Sequence, residues 1–587
     1  KCQLLDNHSS LRPLFGDIPV HAATASAWFS SVLYCGSFTY LRLFFFTPFP
    51  TIATHEKGTA KYSTSLNENI QETEMHYFKK RFSLIELNVF IPAILFIAVI
   101  ILCLTIYPQD TSRYINKIHH FLTWEMGGIF LVMTFLVVLC CLWLAFSRYG
   151  DILLGQSGEK PDFSLLTWLG LIFTSGTGGS LLYLASVEWI WIIQQPPFGA
   201  TAGSAQAARW ASAYGMFHWG PSAWAWYLIC AVPIGWFMHV KKTNSLKVSD
   251  LCRGCLGARA DGFCGHCVNF FYMFGLLGGA VTSLALGTPM ISAVFCHVFH
   301  LDPAGQFINV MVIFIWTLVP LFILFFGLKK GVAWASNWNI RADILMLLAI
   351  LICGPTAFIL NQSIDGLGLM LQNFVAMSLS TDAIGRSGFP QMWTVFYFSW
   401  WVVYAIPFGL FIARISKGRT IRQLIVCGTL AGSLGCMVFY MVLANFGLSL
   451  QTTHVIDFVP ILNEQGRGVV VSRLLEQLPA SQVFLVAFGA IALISYITGH
   501  CTVGYALGFA TQKRADSESE PAFWNVAFWL IMTGIVAITL YLLDAQSLQP
   551  LQTVSILAGL PLCGVVFILL KSFLTQLAAE EKNARDE

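Results

Sequence analysis

The chain has 587 residues, of which 56% are hydrophobic and only 11% are charged, and its formal net charge is +3. Because a soluble domain carries about 25% charged residues, this composition excludes an ordinary globular enzyme, as well as disordered and collagen-like chains. The small net charge gives no reason to expect a nucleic acid partner. The 16 cysteines are scattered through apolar runs, where a secreted disulfide framework would not place them. The remaining class is an all-α polytopic membrane protein.

The first 74 residues differ from the rest of the sequence. They mix an apolar patch over 28–46 with polar, Ser/Thr-rich sequence, and the first methionine is Met75, followed by the basic segment 76–81. The segment lacks the short charged start of a signal peptide. We expect native translation to start at Met75. The alternative is that 1–74 holds a thirteenth amphipathic or spanning segment.

From Phe82 onward, twelve stretches are long and apolar enough to cross about 30 Å of hydrocarbon as helices. We predict spans near 84–107, 127–147, 164–193, 215–240, 266–296, 306–328, 338–361, 391–415, 421–446, 483–511, 522–543 and 552–575. Counted in alternate loops, 22 Lys and Arg residues lie on the side of the termini and 6 on the other. Because basic residues concentrate in cytoplasmic loops, we predict a multi-pass protein of the cytoplasmic membrane with both termini inside.

A glycine-rich stretch, TSGTGGS at 174–180, interrupts the middle of the third span. Gly176, Gly178 and Gly179 lower helix propensity there and favour a break, which would free backbone carbonyls that hydrocarbon cannot satisfy. Transporters bind substrates and ions at such breaks. The alternative is that these small residues only allow close helix packing.

Two spans carry more aromatic residues than a membrane belt needs. They are Trp219, Trp224 and Tyr227 in the fourth span, and Trp393, Trp400, Trp401 and Tyr404 in the eighth. At 100° per residue, each set lies mainly on one side of its helix. Facing aromatic surfaces would form a cage for a quaternary ammonium group, with about 0.5–2 kcal/mol of cation–π attraction per ring. The alternative is interfacial anchoring or plain core packing.

Four ionisable residues lie inside predicted spans, where burying a charge costs several kcal/mol. They are Glu188, His218, Asp343 and His500, and the sequence shows no partner for any of them. We interpret Glu188 and Asp343 as structural rather than functional, and leave His500 open between the two roles.

The largest predicted cytoplasmic loop carries two cysteine pairs, Cys252 with Cys255 and Cys264 with Cys267. Paired CxxC motifs bind zinc, but the gap of eight residues between these pairs is shorter than the usual 12–20 or so, and Cys267 begins the fifth span. We therefore do not expect a metal site here.

The sequence contains no GxxxxGK[ST], HExxH or GxSxG motif, so neither ATP hydrolysis nor an enzyme of those classes is expected. We predict no cofactor apart from a coupling ion. Three functions remain: a secondary transporter, a sensor or receptor on a transporter-like fold, and an intramembrane enzyme. Transport is favoured, because no nucleophile with its base and no metal cluster is visible in the spans.

The sequence resembles the betaine/choline/carnitine transporter family from about residue 82 to 575. The matching motifs are FHWGP at 217–221, WTVFY at 393–397 with WW at 400–401, and ARISKGRT at 413–420. Bacterial carnitine/γ-butyrobetaine exchangers are the most similar members, through QPPFG at 195–199, GFP at 388–390 and Tyr404.

The resemblance implies a LeuT-like fold in which 75–163 holds the first two spans, and 164–361 and 391–575 form two inverted repeats of five helices. A short cytoplasmic tail, 576–587, would follow, and the protein would form a homotrimer. The substrate would be a small trimethylammonium compound. The resemblance implies that the cage consists of Trp219, Trp224, Tyr227, Trp400, Trp401, Tyr404 and Trp191, with an outer access site at Trp393.

Energy coupling is where the sequence departs from the exchangers. Asn339 stands where they keep an arginine that replaces a sodium ion, and Phe408 stands where they keep a methionine. We therefore expect cation-coupled uptake, with sodium ahead of protons and with Thr174, Thr177, Thr498 and Asn339 as the candidate cation-binding residues. Gly499 removes one ligand that sodium-coupled members have, so protons carried by His500 and sodium-independent exchange remain the alternatives.

Overall fold

A computed structural model describes residues 84–176, 178–243, 245–301, 306–325, 328–513, 521–543 and 549–586. Every helix described belongs to one compact unit, Glu86–Glu587. The extension 1–74 lies outside the described residues, so its expected start at Met75 stays a prediction.

Long helices account for most of the described chain, and no β-strand occurs within the described ranges. The helices are α1 (Leu87–Ile106), α2 (Pro108–His120), α3 (Gly127–Phe146), α4 (Leu165–Gly176), α5 (Gly179–Gln194), α6 (Ala205–His218), α7 (Pro221–Gly235), α8 (Phe263–Phe299), α9 (Gln306–Phe325), α10 (Leu328–Cys353), α11 (Thr356–Leu379), α12 (Val395–Ile415), α13 (Ile421–Phe439), α14 (Asn445–Thr452), α15 (Arg467–Leu475), α16 (Ser481–Ala510), α17 (Phe523–Leu543) and α18 (Gln549–Asp586). Very short helices lie at Val248–Leu251, Arg253–Leu256 and Phe458–Pro460.

Wider π-helical turns extend or join several of these helices. They lie at Phe121–Glu125, Trp236–Val240, Pro390–Thr394, Tyr440–Ala444 and Ile461–Gln465. Such turns are rare and often occur at functional sites.

The helices confirm the all-α polytopic architecture. Among the described residues, nine helices are long and apolar enough to cross a membrane. The number of such segments rises to eleven if each of two bent helix pairs counts as one span. The predicted third span is not among them, because it is divided into α4 and α5, which have 12 and 16 residues. Together with that broken span, the helices correspond one by one to the twelve predicted stretches.

The predicted span over 338–361 has the wrong bounds. Helix α10 ends at Cys353, and α11 begins at Thr356 after a bend of 112°. Pro355 explains the break, because proline lacks an N–H and disfavours helical geometry in the residue before it. The apolar run continues beyond the break, which is why hydropathy alone misses it.

The core of the bundle lies where α7 packs along α12, which is the most extensive helix contact in the described chain. Around this pair, α13 packs on α7, and α18 packs on α12. Helix α8 packs against α16 and α18. Both helices that carry the predicted aromatic sets are therefore central, and each is enclosed by other helices.

Several loops predicted to share one side of the membrane meet in the structure. The N–H of Leu154 donates to the carbonyl of Arg419 at 2.8 Å, which joins the loop before α4 to the loop before α13. Arg148 pairs with Glu581 of α18 at 2.9 Å. These segments lie at one end of the bundle, as the alternation of basic loops requires. That this end faces the cytoplasm stays a prediction.

Candidate substrate-binding site

Trp219 lies at a break between two helices. It caps the C-terminus of α6, and Pro221 begins α7 two residues later at the first helical position, where its missing N–H costs no hydrogen bond. A Cβ atom on Gly220 would lie 2.6 Å from the carbonyl oxygen of Met216, so only glycine fits this turn. The FHWGP motif therefore sets the position of the Trp219 ring.

The rings of the predicted cage converge from the two central helices, α7 and α12, and from Trp219 in the turn before α7. Trp219 contacts Trp401 and Trp400 of α12, with ring centroids 4.7 and 6.1 Å apart. Tyr227 of α7 lies 6.3 Å from Trp401. The cage is completed by Trp224, 5.5 Å from Tyr227, and by Tyr404, 6.3 Å from Trp400.

The six rings are closed off from solvent and touch one another. None exposes more than 6% of its surface. Centroid separations of 4.7–6.3 Å are those of direct aromatic contact. These rings would therefore have to move apart before several of them could surround a bound molecule.

The polar atoms of these rings have different environments. The indole N–H of Trp401 donates to the backbone carbonyl of His218 at 2.9 Å, and Tyr404 shares a hydrogen bond of 2.9 Å with Ser283. The indole nitrogen of Trp400 is buried without a hydrogen-bond partner. Trp400 thus contributes aromatic surface alone, whereas Trp401 also bonds α12 to the end of α6.

Trp191 and Trp393 form a second pair of rings. Their ring centroids lie 5.1 Å apart, with Trp393 in the π-helical turn before α12. The Trp393 ring lies 6.3 Å from Tyr397, which in turn lies 5.7 Å from Trp401. Trp191, expected in the cage, therefore lies against Trp393 at the expected access site, and Tyr397 links the pair to the cage.

Sequence reasoning missed two rings of this cluster, Tyr397 and Phe408. Phe408 lies 5.1 Å from both Tyr227 and Tyr404. Both missed residues continue the Trp393–Trp400–Tyr404 stripe at helical spacing, since 393, 397, 400, 404 and 408 share one face. That spacing was the signal that could have found them.

A buried polar network lies directly behind the cage. Its centre is Glu188 of α5, whose carboxylate accepts from His218 Nδ1 at 2.8 Å and from the hydroxyls of Tyr397 at 2.5 Å and Tyr440 at 2.6 Å. The imidazole of His218 also stacks on Tyr397 at 4.4 Å. The network joins α5, α6, α12 and the turn after α13. The sequence singled out Glu188 and His218 separately but gave no sign that they pair.

The predicted break in the third span is present. Helix α4 ends at Gly176, Gly178 is extended with φ −126° and ψ 175°, and α5 begins at Gly179. A Cβ atom on Gly178 would meet nothing within 4 Å, whereas one on Gly179 would lie 2.1 Å from the ring of Tyr496. The two neighbouring glycines thus differ: Gly179 gives room to an aromatic ring of α16, and Gly178 borders open space.

Comparison with known proteins agrees with this architecture. Residues 88–582 match the sequence profile of the BCCT family, the betaine/carnitine/choline family transporters. The chain belongs to this family. It is therefore a multi-pass transporter of the cell membrane with a small-molecule substrate and lipid around it, and its family consists of transporters rather than enzymes.

Part of the transporter's expected cation site lies among the described residues. Asn339 of α10 donates from Nδ2 to Asp343 at 2.9 Å and to the hydroxyl of Ser495 on α16 at 2.7 Å. Asn339 Oδ1 and Asp343 Oδ1 are buried without a hydrogen-bond partner. The Thr498 hydroxyl, one turn beyond Ser495, bonds the Ile494 carbonyl of its own helix at 3.0 Å.

The other candidate ligands are less informative. Thr174 lies in the last turn of α4, and Thr177 lies outside the described residues. His500, the alternative proton carrier, lies 3.2 Å from the hydroxyl of Thr533 and so faces α17. A cation site formed by Thr174, Thr177, Thr498 and Asn339 therefore stays a prediction.

The four loop cysteines have unequal environments. Cys252 is buried, Cys264 is exposed, and Cys255 and Cys267 are intermediate. Burial raises the pKa of the Cys252 thiol to about 12. Within the described ranges, no group of three His, Cys, Asp or Glu residues is placed to hold a metal ion. Nothing in this arrangement argues for zinc.

Proposed function

We propose that this transporter moves compounds with a trimethylammonium group, such as carnitine, glycine betaine or choline, across the cytoplasmic membrane by cation-coupled uptake. The observation that supports this most is the convergence of six buried rings from α7, from α12 and from the turn between α6 and α7. A quaternary ammonium group cannot donate hydrogen bonds, and aromatic faces are the surfaces that attract it.

Cation coupling is supported by the oxygens around Asn339. In the exchangers this sequence resembles, an arginine supplies fixed positive charge at that position. Here the buried Asn339 Oδ1 and Asp343 Oδ1 lack partners, and carboxylate and carbonyl oxygens suit a hard cation such as sodium. A mobile cation is therefore proposed to supply the missing charge, with sodium ahead of protons.

The test is uptake into proteoliposomes of the purified full chain. Labelled carnitine, glycine betaine, choline and γ-butyrobetaine are supplied to empty vesicles under an inward sodium gradient, then under a proton gradient. In a third arm, vesicles without either gradient are preloaded with unlabelled substrate. We expect uptake that depends on the sodium gradient. Transport that needs only preloaded substrate would instead identify a sodium-independent exchanger.

The cage itself is tested by Trp400→Ala and Trp219→Ala. Each lost ring removes about 0.5–2 kcal/mol of cation–π attraction, or about 2–30-fold in affinity. Trp143→Ala is the matched control, because Trp143 lies on α3 with 47% of its surface exposed. Wild-type affinity in both cage variants would place the substrate elsewhere.

The proposal includes a homotrimer with cytoplasmic termini, as the resemblance and the basic loops imply. Chemical cross-linking in native membranes should give a trimer band, and a protease added to sealed inside-out vesicles should remove the end of α18. A monomer only, or protection of that terminus, would contradict these two expectations.

A further inference from the structure

Glu188 is a buried carboxylate without a lysine or arginine partner among the described residues. Its side chain is fully inaccessible, and the nitrogen-bearing side chain that contacts it is the imidazole of His218, at 2.8 Å. An isolated carboxylate in the membrane interior costs several kcal/mol unless hydrogen bonds or a nearby cation stabilise it. Part of that stabilisation comes from the three donors of its network, from His218, Tyr397 and Tyr440.

The hydrogen bonds of the network are consistent with one net negative charge. An ionised carboxylate can accept all three of these hydrogen bonds at once, because its two oxygens offer about four lone-pair positions. The Thr394 hydroxyl lies 3.3 Å from Nε2 of His218. In the tautomer on which our proposal rests, this hydroxyl donates to Nε2 while Nδ1–H donates to Glu188, so the carboxylate supplies the only charge of the pair. The other titratable groups facing the imidazole are Tyr397 of α12 and Tyr214 of α6, with ring centroids 4.4 and 5.3 Å away, and a phenol adds no positive charge.

This charge lies close behind the rings expected to hold the substrate. Tyr397 separates the two, because its hydroxyl bonds Glu188 while its ring lies 5.7 Å from Trp401 and 6.2 Å from Trp400. Because the Tyr397 ring lies between them, we take the separation of the carboxylate from a cation on the faces of Trp400 and Trp401 as on the order of 10 Å for the Coulomb estimate. At that distance and an effective dielectric of about 20, the attraction corresponds to about a tenfold gain in affinity.

We propose that Glu188 determines specificity for positive charge: its carboxylate raises the affinity of the cage for a cation over an uncharged compound of the same shape. The proposal rests on the proposed function, because it assumes that the trimethylammonium group binds at these rings. It assigns to Glu188 an electrostatic role in addition to the hydrogen bonds that hold α5, α6 and α12 together.

The experiment compares two ligands that differ only in charge. Choline and 3,3-dimethylbutan-1-ol have the same shape, but a carbon replaces the ammonium nitrogen in the second. Each competes with a radiolabelled tracer, chosen as the tightest binder among choline, glycine betaine and carnitine, on purified wild-type protein and on Glu188→Gln. We expect Glu188→Gln to lower choline affinity about tenfold and to change the affinity of the neutral analogue by less than about threefold.

Tyr440→Phe is the matched control, because it removes one hydrogen bond from the carboxylate and keeps the charge. Its ratio of choline to neutral-analogue affinity should equal that of wild type. A ratio in Glu188→Gln that also equals wild type would overturn the proposal and leave Glu188 a purely structural role. If Glu188→Gln does not fold, a wild-type-like ratio in Glu188→Asp, where a shorter carboxylate keeps the charge, supports the proposal. If the ratio of choline to neutral-analogue affinity in Glu188→Asp instead falls about tenfold, as expected for loss of the charge, the proposal is contradicted.

Failure of the proposed function would look different. If no tracer binds to wild type, or if Trp400→Ala binds the tracer as wild type does, the cage is not the substrate site. If the tracer binds wild type and its binding needs Trp400, the cage is the substrate site. An unchanged ligand ratio in Glu188→Gln then refutes only the role of the Glu188 charge.

Discussion

Trp400→Phe and Trp401→Phe are expected to differ, although the two tryptophans are adjacent and stack at 5.3 Å. Both substitutions keep an aromatic face. Trp400 loses no hydrogen bond, because its indole nitrogen has no partner. Trp401 loses its bond of 2.9 Å to the carbonyl of His218.

The cost follows from the position of that carbonyl. His218 is the last residue of α6, so its carbonyl has no partner within its own helix. Removing the indole N–H leaves a buried acceptor unpaired, which costs about 1–3 kcal/mol. We expect Trp401→Phe to be less stable than Trp400→Phe by that amount. Its substrate affinity should also fall further, because the bond joins α12 to the end of α6, next to Trp219.

Thermal unfolding in detergent, followed by tryptophan fluorescence and static light scattering, measures the stability difference. Tracer binding to the same samples measures the affinity. Equal apparent melting temperatures for the two variants would refute this reasoning, since it would mean that the buried carbonyl finds another donor or contributes nothing.

Two further pairs of residues allow similar comparisons: Gly178 with Gly179, and Cys252 with Cys264. Gly179→Ala should reduce folded yield and melting temperature, because the added methyl group overpacks against Tyr496 at a cost of about 1–3 kcal/mol. Gly178→Ala should fold normally and should affect transport only if the break binds substrate or ion. Equal yields for the two variants would contradict this steric argument. Maleimide at pH 7.5 should label Cys264 quickly and Cys252 only after denaturation, because burial raises the pKa of the Cys252 thiol and keeps it protonated. Mass spectrometry measures the labelling of each cysteine. Equal labelling of both in the folded protein would show that the loop is open.

The sequence predicted the helical architecture well because hydropathy reports directly on membrane burial. Eleven of the predicted stretches match apolar helical segments, and the glycines at 176–179 marked the break that divides the remaining one. The prediction failed at Pro355, where the helix ends while the apolar run continues. A local break of this kind changes direction without changing composition, so a hydropathy window does not detect it.

The aromatic rings of the candidate site could be predicted from the sequence, whereas the pairing of its polar groups could not. The spacing of Trp393, Trp400 and Tyr404 on one helix fixes a common face, so local geometry is sufficient. Glu188 and His218, by contrast, are 30 residues apart on different helices, and their pairing depends on how α5 and α6 pack. No periodicity within one helix carries that information.

Tyr496 constrains three helices at once. A Cβ atom on Gly179 of α5 or on Gly287 of α8 would lie 2.1 or 2.0 Å from atoms of its ring, so one side chain of α16 requires glycine at both places. In evolution the three positions should behave as a single character. Where a related sequence has a smaller residue in place of the tyrosine, both glycines can be replaced by larger residues. Where the tyrosine is kept, both positions should remain glycine. Paired changes at 179, 287 and 496 across related sequences would then record the spacing of these helices, a distance set by the thickness of one aromatic ring.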